Sequence, residues 1–273
     1  MKKQIMRLGF STHYYVYESL DTAHIDEIKS LGYKEVELWG MAPNIDLRDK
    51  ERIERVKYCL EKNGIRAASF HGPLYRRISD SPAREWLYLS SSDEHKREES
   101  VSRNLEIISL MADFNSSILV IHFDLEEGAM ISRAFDNFRK SIDVILCKNP
   151  KKGIRIAIEN TNEHTTSGKL MDFIRDYPSK DVGICLDLGH ANMYENPCDA
   201  IKICGKRLIH THLSDNDGKG DLHLIPGKGN IDWKKVTKTA SEIGYNGLLM
   251  LEIRKEASLE YLEAEKIKAI LGI

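Results

Sequence analysis

The sequence lacks the long apolar stretch that a membrane-spanning helix requires. The chain of 273 residues is 41% hydrophobic and 30% charged, and no run of apolar residues approaches the ~18 positions that cross a bilayer. The segment Met1–Arg7 has three basic residues with no apolar region behind them, so we expect neither a signal peptide nor a membrane segment. A large excess of one charge is also missing, since the formal net charge is −2. The total therefore gives no hint of the basic face that duplex-binding proteins usually carry.

Cysteine is scarce and has no pattern. The five cysteines show neither CxxC spacing nor the arrangement of a disulfide framework. We therefore expect reduced thiols in a cytoplasmic protein. The cysteines are Cys59, Cys147, Cys185, Cys198 and Cys204.

Short apolar runs alternate with helical patterns from one end of the chain to the other. This alternation favours a parallel sheet that is covered on both faces, and the length fits one (β/α)8 barrel. We predict a single α/β domain over residues 1–273, a (β/α)8 TIM barrel with its site at the carboxyl ends of the strands. The predicted strands are Leu8–Phe10, Val36–Leu38, Ala67–Phe70, Ile118–Phe123, Ile154–Ile158, Val182–Leu186, Leu208–Leu213 and Leu248–Leu251. The helical patterns include Asp26–Leu31, Arg52–Leu60, Leu105–Phe114, Phe135–Leu146 and Val236–Ile243.

Seven of these strands carry an acidic or imidazole side chain at or beside their last residue. One such residue could be a salt bridge or a helix N-cap, but repetition at equivalent strand ends indicates convergence at the mouth of the barrel. Converging carboxylates resist ionising together unless a cation holds them. Oxygen and nitrogen ligands without thiolates suit zinc, manganese, magnesium or cobalt. The residues are Glu37, His71, His122, Glu159, Asp187 with His190 nearby, His212 and Glu252.

Other histidines and one loop pair extend this pattern. Asp221 and His223 stand two residues apart in the long connection after strand seven, Ser214–Ile231, and add a carboxylate and an imidazole. His210 shares a face with His212 one layer deeper, so we expect it to pack behind the site. His13, although it follows strand one and could reach the mouth, is predicted to lie on the surface. The same surface prediction covers His24, His95 and His164.

The chain resembles the xylose-isomerase-like TIM-barrel superfamily, which includes endonuclease IV and many sugar-phosphate isomerases and epimerases. The resemblance runs from strand two to strand eight and is more specific for the superfamily than for the reaction. The segments that carry it are Glu37-Leu38-Trp39-Gly40, Phe70-His71-Gly72-Pro73, Val120-Ile121-His122, Ile158-Glu159-Asn160-Thr161, Leu186-Asp187-Leu188-Gly189-His190, His212 to Gly218, Asp221-Leu222-His223, Gly227 to Trp233 and Leu251-Glu252.

The resemblance implies a metal centre of one to three divalent ions, with zinc or manganese expected. In the epimerase branch the counterparts of four residues hold one ion: Glu159, Asp187, His212 and Glu252. In the endonuclease IV branch those four help to hold three zinc ions. The remaining ligands of that cluster correspond to His71, His122, His190, Asp221 and His223. All nine positions carry the required residue types.

Two reactions are compatible with these residues. In the first, a metal-dependent isomerase or epimerase acts on a sugar or sugar phosphate. Glu159 and Glu252 then move a proton at the substrate carbon, and His190 binds a substrate oxygen. In the second, an endonuclease IV-like zinc enzyme hydrolyses a phosphoester. The nine candidate ligands favour hydrolysis, whereas the loops favour the sugar reaction, which we prefer.

The loop argument has two parts. Endonuclease IV carries an arginine-bearing loop that reads DNA after strand two, whereas the segment Trp39–Ile45 is short and uncharged here. The strand-six signature of that enzyme has Ser or Thr and then Cys, where this chain has Leu188 and Gly189. DNA is therefore expected as a partner only under the alternative reaction.

The expected substrate is a small, anionic, sugar-like molecule. Trp39, Lys228 and Arg254 are the candidate substrate-binding residues, and Arg76 and Arg77 lie in the long connection Gly72–Lys96 after strand three. Each basic residue taken alone would be an ordinary solvated charge. Together they favour a phosphorylated substrate. An oligomer is compatible with the sequence.

Overall fold

The computed structural model describes residues 6–78, 85–149, 153–255 and 259–273. Eight parallel strands follow one another in chain order and close into a barrel, with β1 paired to β8. The prediction of a (β/α)8 TIM barrel is therefore confirmed. The strands are β1 (Arg7–Ser11), β2 (Glu35–Trp39), β3 (Arg66–His71), β4 (Ile118–His122), β5 (Arg155–Glu159), β6 (Val182–Asp187), β7 (Leu208–Leu213) and β8 (Leu248–Leu251).

Helices return the chain from the carboxyl end of each strand to the start of the next. Two short helices follow β6, and one α-helix follows each of the other strands. Of the helices in the described ranges, none combines the length and apolarity that a bilayer crossing demands. The helices are α1 (Thr22–Ser30), α2 (Lys50–Asn63), α3 (Glu94–Asp113), α4 (Ile131–Lys148), α5 (Ser167–Phe173), α6 (Leu188–Tyr194), α7 (Pro197–Cys204), α8 (Trp233–Glu242) and α9 (Ala264–Leu271).

The start of α3 differs from the sequence prediction. The apolar pattern indicates a helix only from Leu105, whereas the helix begins at Glu94. The part of the helix up to Asn104 buries the polar residues Arg97, Ser100 and Asn104, and these interrupt the apolar periodicity that marks a helix face. Their side chains bond within the fold, since Ser100 Oγ donates to the carbonyl of Lys96 at 2.9 Å and Asn104 Nδ2 donates to that of Ser100 at 2.9 Å.

The core separates the apolar middle of the barrel from the polar side chains at the carboxyl ends of the strands. A continuous apolar cluster that includes Phe10, Leu38, Ile121 and Phe138 fills the space between strands and helices. Inside the barrel, side chains alternate along each strand, so Val120 and Ala157 share the inner face with His122 and Glu159. Val120 and Ala157 pack with Cys185 and Ile209 in a separate small cluster. On these two strands the inner face is therefore apolar at Val120 and Ala157 and polar at the carboxyl ends.

The connections after β2 and β3, at the carboxyl ends of the strands, differ from the sequence predictions or lie partly outside the described ranges. The connection between β2 and α2 runs over residues 40–49 and carries Arg48, so the expectation of a short, uncharged loop is wrong. Asp46 holds the Arg48 guanidinium through two bonds of 2.7 and 2.9 Å. In the long connection after β3, Tyr75 and Trp86 form an antiparallel bridge, and the amide of Leu87 donates to the carbonyl of Leu74 at 2.8 Å. Residues 79–84 of this connection lie outside the described ranges, as do residues 1–5 of the segment Met1–Arg7.

Candidate metal centre at the mouth of the barrel

Four buried side chains from adjacent strands meet at the centre of the mouth. Glu159 and Asp187 are the last residues of β5 and β6, His212 is the penultimate residue of β7, and Glu252 directly follows β8. Each offers one ligand atom, and these atoms lie within 4.8 Å of one another. His212 Nδ1 is 3.1 Å from Glu159 Oε1 and 3.2 Å from Glu252 Oε2. We call these four residues the central group.

Several atoms of the central group have no hydrogen-bond partner. Among the described residues, the buried atoms without one include Asp187 Oδ2, His212 Nδ1 and Glu252 Oε1. Native proteins rarely leave buried polar atoms unsatisfied unless an ion or a water binds there. The contacts of His212 Nδ1 with the two carboxylates are short but do not have hydrogen-bond geometry. Three carboxylates and one imidazole nitrogen are a donor set that divalent cations accept, so these residues fit a metal ion.

The electrostatics of the central group follow from crowding of carboxylates. Burial, reinforced by the charges of Glu159 and Glu252, raises the pKa of Asp187 to about 6. Burial opposes ionisation of Glu159 as well, but His212 and His122 outweigh it and hold the pKa of Glu159 well below its ordinary value. His212 does the same for Glu252, whose pKa lies at about 2. The histidines thus supply the positive charge that lets these carboxylates ionise together.

Two further groups flank the centre. His71 Nε2 lies 3.0 Å from His122 Nε2, which lies 3.0 Å from Glu159 Oε2. On the other side, Asp221 lies 3.8 Å from His190 Nε2 and 3.1 Å from His223 Nε2. Each flanking group has the residue types and spacing to hold a metal ion. The structure therefore brings all nine predicted ligand positions together at one mouth.

Main-chain carbonyls orient three of the histidines. The Nδ1 atoms of His71, His190 and His223 lie at hydrogen-bond distance from the carbonyl oxygens of Gly72, Asn160 and Glu252, at 2.8, 2.9 and 3.0 Å. A carbonyl can only accept, so Nδ1 carries a hydrogen and Nε2 is the nitrogen that faces the mouth. His212 is turned the other way, with Nδ1 toward the carboxylates and Nε2 toward Glu37 at 3.1 Å.

Glu37 has a larger part in the site than its sequence position indicates. It lies inside β2, is completely buried and bonds to His210 Nε2 at 3.0 Å. Burial opposes its ionisation, but His212 and His210 outweigh this and hold the pKa of Glu37 well below its ordinary value. The sequence does contain a sign of this role, since Glu37 is a carboxylate that directly follows Val36 inside an otherwise apolar predicted strand. His210 lies behind the site, as predicted.

His13 corrects a sequence prediction. Instead of lying on the surface, it lines the mouth cavity and stacks on His223 with ring centres 4.8 Å apart. On its other side lies Trp39, at 4.7 Å. Burial lowers the pKa of His13 to about 4, so the ring is neutral near pH 7. His95 is exposed as predicted, whereas His24 and His164 are partly buried.

The mouth opens into a cavity of about 600 Å³ with two unlike walls. One wall is formed by the candidate ligands, and the other is largely aromatic and aliphatic. Trp39 and Arg254, both predicted to bind substrate, line the cavity. Lys228 does not belong to the lining; its ammonium lies 5.6 Å from the ring centre of Tyr261. The apolar wall includes Tyr14, Val16, Tyr17, Leu74, Tyr75, Ile78 and Trp86.

The two arginines of the β3 connection do not face this cavity. Arg76 and Arg77 line a separate cavity of about 260 Å³ beside it. Arg76 bonds to Glu99 at 2.7 and 2.5 Å and to Glu85 at 2.8 Å. Arg76 is therefore engaged in salt bridges at the surface. Neither arginine lines the mouth cavity, where we expected the pair to favour an anionic substrate.

The metal-free protein is expected to lose stability as the pH rises from about 7 to about 10. Burial would lower the pKa of His190, but Asp187 and Asp221 outweigh it and raise the value to about 10. Asp221 and Glu252 likewise overcome burial and raise the pKa of His223 to about 9. Because these values exceed the ordinary 6.5, the stabilisation is complete below pH 6.5 and is lost as the pH passes through 9 to 10.

Urea unfolding of chelator-treated protein across this pH range measures the effect. The denaturation midpoint should fall with rising pH. The fall should be smaller in the double variant His190→Asn with His223→Asn. A midpoint that stays level or rises over the same range would contradict the expected charge state of the two histidines.

Three comparisons place the chain among known proteins. The family model described as "Xylose isomerase-like TIM barrel" matches residues 25–270. An uncharacterized protein of Methanocaldococcus jannaschii is 31% identical over 193 residues, which cover 64% of this chain and 66%, just under two thirds, of that protein. The D-psicose 3-epimerase of Ruminiclostridium cellulolyticum is 23% identical over 239 residues, or 84% of this chain and 76% of the enzyme. The crystal structure of a D-tagatose 3-epimerase-like protein matches with a TM-score of 0.80 and 26% identity, covering 98% of this chain and 97% of that one.

Proposed function

The chain belongs to the xylose isomerase-like TIM barrel family, and on that premise we propose that it is a divalent-metal-dependent isomerase or epimerase of a small sugar or sugar phosphate. Relatives named as sugar epimerases support the reaction class. The observation that carries the proposal is the central group, in which the buried atoms Asp187 Oδ2, His212 Nδ1 and Glu252 Oε1 lack a hydrogen-bond partner among the described residues. A structural salt-bridge network would pair those atoms within the protein.

Glu159, Asp187, His212 and Glu252 would hold the ion, with zinc or manganese as the expected metal. Bound there, the ion would polarise a substrate carbonyl and make the neighbouring carbon-bound proton more acidic. The flanking histidines help to keep the carboxylates ionised, so that negatively charged ligands are already present at the site where a cation would bind.

The protein's own groups move the proton. Glu159 and Glu252 both lie within 3.2 Å of the same imidazole nitrogen of His212, so their carboxylates face one small volume. One of them removes a proton from the substrate carbon, and the other returns a proton to it. His190, held through Nδ1 by the carbonyl of Asn160, presents Nε2 for a hydrogen bond to a substrate oxygen. These three residues are the proposed catalytic residues.

The walls of the cavity favour a substrate with a polar end and an apolar face. Trp39 lies between the two walls, because its ring stacks on His71 at 4.1 Å and it also belongs to the apolar cluster of Met41, Tyr75 and Ile78. Aromatic rings commonly bind such apolar faces. Arg254 stands at the rim, where it donates to the carbonyl of Asp221 at 3.0 Å, and is the proposed contact for an anionic group.

A second candidate function is phosphoester hydrolysis of the endonuclease IV type. The specific observation in its favour is that the flanking groups, His71 with His122 and His190 with Asp221 and His223, complete three adjacent metal-capable sets. In that reaction His190 would bind metal instead of substrate, and DNA or a smaller phosphoester would be the substrate. Arg48 in the β2 connection is bound by Asp46, which reduces its availability to a phosphate.

Metal content and proton exchange together test the proposal. Protein purified without chelators is analysed for metals, then incubated with D-psicose, D-tagatose and their phosphates in heavy water with added Mn²⁺ or Zn²⁺. We expect one tightly held ion per chain and exchange of a carbon-bound proton, followed by proton NMR. Two or three ions per chain, with hydrolysis of a phosphodiester and no exchange in any sugar, would replace this function by the second candidate.

A further inference from the structure

Four of the histidines at the mouth differ in what orients them. Main-chain carbonyls fix His71, His190 and His223, and substitution of a neighbouring side chain leaves those carbonyls in place. His212 has a side chain in that role. We propose that Glu37 is a positioning residue that keeps the hydrogen of His212 on Nε2, so that the Nδ1 lone pair faces the proposed metal position. This inference rests on the proposed function, because it assumes that the central group holds the ion.

The surroundings of Glu37 determine the direction of each hydrogen bond. Its Oε1 accepts from Ser11 Oγ at 3.1 Å, and His212 Nε2 lies 3.1 Å from Oε1 and within hydrogen-bond distance of Oε2 at 3.3 Å. Its Oε2 accepts from Ser69 Oγ at 2.8 Å and lies 3.0 Å from His210 Nε2. An ionised carboxylate can only accept hydrogen bonds, so both imidazoles must present N–H to it.

The orientation of His212 then follows from that hydrogen. With Nε2 protonated, the neutral imidazole has its lone pair on Nδ1, which lies 3.1 and 3.2 Å from the carboxylates of Glu159 and Glu252. Carboxylates behind metal-binding histidines fix the tautomer and ring orientation in this way. Glu37 is also linked to the cavity wall through Ser11, because Ser11 Oγ donates to Glu37 and accepts from Trp39 Nε1 at 3.1 Å.

Glutamine at position 37 is the sharpest test because it has nearly the same shape. Its amide can donate to His212 Nε2, and the imidazole hydrogen then moves to Nδ1, where it opposes a cation. We expect Glu37→Gln to bind Mn²⁺ or Zn²⁺ about 10–100-fold more weakly in chelator competition. Glu37→Asp keeps an acceptor and should recover part of the affinity.

Glu35→Gln is the matched control on the same strand. Glu35 pairs with Arg7 and, at 2.8 Å, with Arg66, outside the central group, so its replacement should leave metal affinity unchanged. Nitrogen NMR of histidine-labelled, metal-free protein, recorded at alkaline pH where the imidazole of His212 is neutral, shows which nitrogen keeps the hydrogen and would not respond to a merely structural role. We expect the hydrogen on Nε2 of His212 in the native chain and on Nδ1 in Glu37→Gln.

The outcomes separate this inference from the proposed function. A native chain with the His212 hydrogen on Nδ1 overturns the role of Glu37, even if the glutamine variant fails to fold. Equal metal affinity in the native chain and Glu37→Gln overturns it as well. A native chain that binds no divalent ion, with its His212 hydrogen on Nε2, instead overturns the proposed metal centre and leaves the tautomer assignment standing.

Discussion

Replacement of Glu159 or Glu252 by glutamine is expected to abolish turnover while the barrel stays folded. Both carboxylates belong to the proposed metal site under either candidate reaction, and in the sugar reaction they also move the proton. Loss of a general acid or base alone lowers a rate by about 10²–10⁴-fold, and weakened metal binding adds to this. Both residues lie at the polar end of the barrel, and neither belongs to the apolar cluster that holds strands and helices together.

The measurement is proton exchange on the substrate identified in heavy water, with circular dichroism to confirm folding. Glu163→Gln is a suitable control because it makes the same chemical change four residues after Glu159, at a side chain that is 64% exposed. The control should match the native rate. Retained turnover in either Glu159→Gln or Glu252→Gln would remove that residue from the mechanism.

The double change His71→Ala with His122→Ala separates the two candidate functions. If one ion at the central group supports the chemistry, this variant keeps at least one tightly bound divalent ion and measurable proton exchange. If phosphoester hydrolysis requires ions at the flanking groups, removing two ligands should release a metal ion and disrupt the geometry for hydrolysis. The reciprocal variant, Asp187→Ala with His212→Ala, should lose tight binding and exchange under the sugar reaction.

Incision of abasic-site DNA by the native protein supplies the complementary measurement. We expect negligible incision with Mn²⁺ or Zn²⁺ present. Robust metal-dependent incision, abolished by the His71 and His122 changes, would establish the endonuclease IV-like reaction instead.

The barrel and most of the mouth were predictable because burial leaves a simple pattern. A strand covered on both faces reads as a short apolar run, so residues such as Glu159 and His122 stood out where those runs end. Parallel strands in a closed barrel present all their carboxyl ends on one side. The convergence of those side chains therefore followed from topology and needed no knowledge of distances.

The remaining features depend on contacts that a linear pattern does not contain. The contacts of Glu37 with His210 and His212 could not be predicted, because they depend on β2 and β7 facing one another across the barrel interior. His13 resembles a surface histidine in its polar sequence context, and its place between Trp39 and His223 is set by the turn after β1. Lys228 illustrates the reverse error, since a basic residue in a family motif does not reach the cavity.

The contact between Trp39 and His71 gives the site an optical property. The indole and imidazole rings are 4.1 Å apart and inclined by only 16°, and the electron-rich face of an indole responds to a nearby positive charge. Of the chain's three tryptophans, Trp86 lies at the cavity edge and Trp233 donates to Asp215 away from the histidines. The fluorescence of Trp39 should therefore change when a cation binds beside His71, so that metal binding at the mouth can be followed in unlabelled protein.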